Sequence, residues 1–141
     1  MAQGHTHEQP IELRLALRFA RVGYYLAAIV GAVFTPIGYF TFQSPDFAIV
    51  SMFFALCYLV CAIIATTKVA AWARLLMCIV GGAHYATTLF FVGPYAGLQA
   101  FVAVLMAMPM VMFARSELRL IVPAYALQLS CIIAGDVLVH R

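Results

Sequence analysis

The sequence predicts an all-α membrane protein, a polytopic bundle of about five transmembrane helices preceded by a short amphipathic helix. Three observations predict it. Of the 141 residues, 66% are hydrophobic and 9% charged, with a mean hydropathy of +1.03, whereas a soluble domain carries about a quarter charged residues. The apolar residues fall in runs of about 18 to 22, the length that crosses roughly 30 Å of hydrocarbon. Between the runs lie short turns that hold most of the Lys and Arg residues.

Residues 1–10, MAQGHTHEQP, are polar and end in Pro, which predicts a mobile tail with His5 and His7 solvated rather than metal-binding. Residues 11–21, IELRLALRFAR, put Arg14, Arg18 and Arg21 at i, i+4 and i+7 of one helical face, with Leu13, Leu17 and Ala20 beside it. This segment is expected to be a cytoplasmic or interfacial helix running into the first span. The first span, about 22–42, exceeds a signal-peptide h-region and leads into no polar mature region, so it reads as a retained helix. Pro36 removes one hydrogen bond of its ladder and is a candidate kink. Gln43-Ser44-Pro45-Asp46 makes the turn to the second span, about 47–66.

Lys68, Trp72 and Arg74 mark a membrane interface before the third span, about 75–92, and Gly93-Pro94-Tyr95 turns the chain again. The fourth span, about 96–114, is interrupted by Pro109. Arg115-Ser116-Glu117-Leu118-Arg119 returns the chain to a polar surface, and the fifth span, about 120–138, carries Pro123 in its first turn, where proline is tolerated. Residues 22–138 are thus expected to form one five-span transmembrane domain. Arg14, Arg18, Arg21, Lys68, Arg74, Arg115 and Arg119 fall on one side of this layout and only Arg141 on the other. The positive-inside rule then places the N-terminus in the cytoplasm.

Several functions are excluded by what the residues lack. The cations form no basic block, so the net charge of +3 is not the signature of a nucleic-acid binder. No Gly-rich phosphate loop, HExxH, CxxC, or Ser, His and carboxylate set outside the membrane occurs, so the chain is expected to be no enzyme and to hold no cofactor. Haem held by two histidines would need a second intramembrane His beside His84. Cys57, Cys61, Cys78 and Cys131, and the alternating Met106, Met108, Met110 and Met112, read as packing residues rather than as a soft-metal site.

Polar side chains in hydrocarbon are costly, so each is a candidate site. Tyr58, His84 and Gln128 lie near mid-depth of spans two, three and five, with Thr87 and Thr88 one turn outward from His84. If those spans are neighbours, the residues form one ligand-binding pocket. Two roles stay open for His84: sensing a ligand or a proton, or acting with Thr88 as a neutral hydrogen-bonded link to the next helix.

The basic loop from Lys68 to Arg74, the span with a mid-membrane His, the run GAHYATTLFFVGPYAGLQAF and the fourth span closing on Arg115 together resemble a known arrangement. It is the six-helix membrane anchor of bacterial class III adenylate and guanylate cyclases and of related sensor histidine kinases. In that family the span-three His precedes a Gly, two residues and a second Gly, which His84, Gly93, Ala96 and Gly97 approximate. The resemblance covers about residues 11–138 and implies a sensor and anchor module of a signalling protein, working as a homodimer. It implies a lipophilic or membrane-delivered ligand near His84, and a packing change carried to the cytoplasm by the helix of Arg14, Arg18 and Arg21. The family's sixth helix and catalytic domain have no counterpart in these residues. A small channel or transporter is a second reading, and an accessory subunit docking through Gly23, Ala27 and Gly31 a third.

Overall fold

The computed structural model describes residues 11–65, 70–93 and 98–139, with residues 98–100 described by their backbone alone. The expectations for the tail 1–10, for Lys68, for Ala96 and Gly97, and for Arg141 lie outside the described residues. The described chain is almost entirely helical: α1 (Ile11–Thr41), α2 (Pro45–Ile64), α3 (Ala70–Val92), α4 (Leu98–Met112) and α5 (Leu118–Val139), with a 3-10 turn at Arg115–Glu117 before α5. No strand occurs among the described residues. α1, α2, α3 and the segment Arg115–Val139 are each long and apolar enough to cross a bilayer, and the described α4 has 15 residues.

The helix ends follow local chemistry more closely than the membrane edge does. α1 runs unbroken through the point where the amphipathic segment was expected to give way to a span. α2 begins at Pro45, two residues before the expected span, because the Ser44 hydroxyl caps it by accepting the Phe47 N–H at 3.2 Å and Pro45 needs no hydrogen-bond acceptor. α3 continues helical through Trp72 and Arg74, since interfacial residues are no helix breakers. Pro123 is not in the first turn of its helix, as the sequence suggested: α5 starts at Leu118, so the proline sits inside it.

α1 packs chiefly on α2, and α5 on α3, which also touches α1, α2 and α4; α4 lies between α1, α3 and α5. Small residues make these approaches close, as they must where lipid offers no hydrophobic drive between helices. A Cβ at Gly31 of α1 would stand 3.1 Å from Ala55 Cβ of α2, and one at Gly135 of α5 only 2.7 Å from Ala86 Cβ of α3. Gly31 is therefore occupied within the chain and is not a free docking face. Bulky apolar side chains point outward instead: Phe40 is 77% exposed, Val122 70% and Phe53 59%. Such a surface suits hydrocarbon as solvent. Inside, Tyr24, Phe54, Tyr58, Cys61, Met77, Cys78 and Ala124 belong to one buried cluster.

Candidate functional site

Tyr58 of α2 and His84 of α3 meet in the interior. The Tyr58 hydroxyl and His84 Nδ1 share a hydrogen bond of 3.0 Å, and the Phe54 ring stacks on the imidazole at 4.6 Å and 16°. Tyr58 and Phe54 lie four residues apart on one face of α2, so a single helix supplies both the partner of the ring edge and the cover of the ring face. His84 stands ten residues beyond Arg74, about 15 Å along α3.

Two cavities border the imidazole. One, of about 110 Å³, is lined by Val30 and Phe34 of α1, Phe47 of α2, His84, Tyr85 and Thr88 of α3, and Phe101 of α4. The other, of about 450 Å³, runs between α1, α3 and α4, lined by Gly23, Leu26, Ala27, Val30, Met77, Gly81, Phe101, Val104, Leu105, Met108 and Val111, with Tyr58 and His84 as its polar groups. Leu26, Val104 and Val111 on its wall are themselves exposed. The larger cavity is therefore a cleft whose α1 and α4 walls carry exposed apolar side chains, part of the surface read as lipid-facing. Its volume lies within the range of pockets that hold small molecules.

Of the other expected site residues, Thr88 lines the smaller cavity but donates its hydroxyl to the His84 carbonyl at 2.8 Å, and Thr87 does the same to Ala83. Gln128 is fully buried in α5, lines neither cavity, and neither its amide nitrogen nor its oxygen has a hydrogen-bond partner. The structure thus places His84 between the two cavities, with Thr88 on the smaller and Tyr58 on the larger, while Gln128 lines neither. Arg14, Arg18 and Arg21 are exposed on α1, and no ion pair among the described residues engages them.

A second polar cluster was invisible as such in the sequence. Arg74, read as one of the topological charges, is only 2% exposed. Its Nη1 donates to Glu117 Oε2 at 2.7 Å and to the Met112 carbonyl at 2.9 Å, and its Nη2 donates to Glu117 Oε1 at 2.6 Å. The guanidinium also lies 4.8 Å from the centre of the Phe113 ring, and Glu117 accepts the Ala114 N–H at 3.0 Å. Burial alone would raise the Glu117 carboxyl, but the hydrogen bonds from Arg74 and Ala114 and the arginine charge outweigh it and hold the group below its ordinary 4.5. The cluster ties the start of α3 to the turn between α4 and α5. The signal available in the sequence was that Glu117 and Glu12 are the only acids in the segments bordering this end from residue 11 on.

No protein-family model, curated protein or solved structure matches the chain.

Proposed function

We propose that the chain is a membrane-embedded sensor module that admits a lipophilic ligand from the bilayer to the Tyr58–His84 pair. The observation that carries this reading is the cleft of about 450 Å³, apolar except for Tyr58 and His84 and bordered by exposed side chains of α1 and α4. A molecule dissolved in hydrocarbon reaches such an opening without crossing water. In the tautomer that accepts the Tyr58 hydroxyl proton at Nδ1, the neutral ring carries its own proton on Nε2, for which the described residues offer no partner. The ligand that suits this site is an apolar molecule bearing one hydrogen-bond-accepting atom.

Transmission follows from continuity. α1 borders the cleft through Gly23, Leu26, Ala27 and Val30 and carries Arg14, Arg18 and Arg21 on the same unbroken helix. A ligand that binds one position of α1 better than another shifts the population of both ends together. The excess of arginine at that end supports a cytoplasmic N-terminus, and the resemblance to bacterial anchors supports a bacterial inner membrane. The resemblance to cyclase and kinase anchors supports a homodimer that feeds a cytoplasmic signalling domain.

The test uses the full chain in lipid nanodiscs with a long-chain alcohol carrying a diazirine. Photolabel is expected on the α1 and α4 residues of the cleft and to fall at least several-fold in Gly23→Phe. A Cβ at Gly23 would meet nothing within 4 Å, and Gly23 lines the cleft, so a side chain there is expected to occupy it. Label spread evenly over every outward face, unchanged in Gly23→Phe, would remove the reading.

A further inference from the structure

We propose that the arginine face of α1 is a binding site for the headgroup of an anionic phospholipid. This inference is independent of what the cleft binds. α1 has 31 residues, about 46 Å of helix against roughly 30 Å of hydrocarbon. About a third of it therefore lies at or beyond headgroup level. Arg14, Arg18 and Arg21 occupy that third, exposed, spaced at i, i+4 and i+7, and engaged by no ion pair among the described residues.

The surroundings favour a lipid over other anions. About a quarter-turn away on the same helix, Leu15, Phe19 and Val22 form a stripe of apolar side chains that are 48%, 59% and 57% exposed. That stripe continues in register through Leu26, 57% exposed, into the surface read as lipid-facing. A free phosphate would use the arginines and leave the apolar stripe in water, whereas a phospholipid covers both, its phosphate on guanidinium groups and its acyl chains along the stripe. The opposing charge is also largely spent: Glu117 is held by Arg74, leaving Glu12 as the only other acid at this end among the described residues, while Arg115 and Arg119 are exposed there too.

The experiment is lipid retention by the purified full chain in a neutral detergent. Dioleoyl phosphatidylglycerol and dioleoyl phosphatidylcholine are added in equal amounts, with and without excess inorganic phosphate, and bound lipid is counted by native mass spectrometry. Phosphatidylglycerol is expected to be retained about a hundredfold over phosphatidylcholine, roughly fivefold for each of the three arginines that carry the site. The preference should vanish in the triple variant Arg14→Gln, Arg18→Gln, Arg21→Gln and survive excess phosphate. Equal retention of the two lipids by the unaltered protein overturns the proposal, and this comparison decides even if the triple variant does not fold. A preference unchanged in a folded triple variant also overturns it, as does full displacement by inorganic phosphate, which would make the site one for a free anion.

Discussion

Tyr58 and His84 hydrogen-bond to one another in the interior of the bundle, and that mutual dependence makes their energetics asymmetric. Tyr58→Phe keeps the ring and its packing but leaves Nδ1 without a partner, which should cost about 1–3 kcal/mol. A lowered midpoint of thermal unfolding in detergent, without loss of the monodisperse protein, is the expected result. Glu117 offers a second test, because its folded carboxyl titrates below 4.5. The Arg74–Glu117 pair therefore adds stability that is fully present above about 4.5 and is lost as the pH falls through the lower folded value. Unfolding temperature should drop over that acid range, and in Glu117→Gln this step should be missing, with about 3 kcal/mol already lost at neutral pH. The sequence disclosed Tyr58 and His84 because a polar side chain at mid-depth is conspicuous in hydrocarbon. It did not separate Gln128 from them, since position along a span gives height in the membrane but not the direction a residue faces across the bundle. Arg74 was misjudged for the complementary reason: charge gives the side of the membrane, while burial depends on what folds over it.

At the scale of the helix, glycine has two opposite meanings in this bundle. Gly135 lets α5 approach α3 so closely that a Cβ would fall 2.7 Å from Ala86 Cβ and 2.8 Å from Ala86 Cα. Backbone cannot yield as a side-chain tip can, so Gly135→Ala should separate the helices at a cost of about 1–3 kcal/mol. At Gly23 the same substitution meets nothing within 4 Å. There the gain in helix propensity of roughly 1 kcal/mol is uncompensated, and Gly23→Ala should raise the unfolding temperature. Thermal unfolding of the two variants side by side checks both signs. Composition alone gives the two glycines the same reading; only the neighbour across the interface tells them apart. Helix existence and order, by contrast, were legible from the lengths of the apolar runs, and the errors of a few residues arose where a cap, as at Ser44, fixes the helix end inside a turn.

For the molecule as a whole, the Arg74 cluster constrains the path of the chain across the membrane. Arg74 stands near the start of α3, and it holds Met112 at the end of α4 and Glu117 just before α5. From Arg74 to Val92, α3 rises about 27 Å. The chain must therefore return over that height between Val92 and Met112, whatever the length of the described α4. The hydrogen bonds thus put Ser116 on the same side as the start of α3, and the alternation of α1, α2 and α3 puts Glu12 there as well. With the arginine-rich side inward, single cysteines introduced at Asp46 and Leu138 should react with an impermeant thiol reagent added to intact cells. Those at Glu12 and Ser116 should react only after the membrane is opened, all in a background with the four native cysteines replaced. Reversed accessibility of all four positions would overturn the orientation and keep the bundle. Reaction of Ser116→Cys from the side opposite Glu12→Cys would contradict the Arg74–Glu117 contact itself, and with it the five-crossing path.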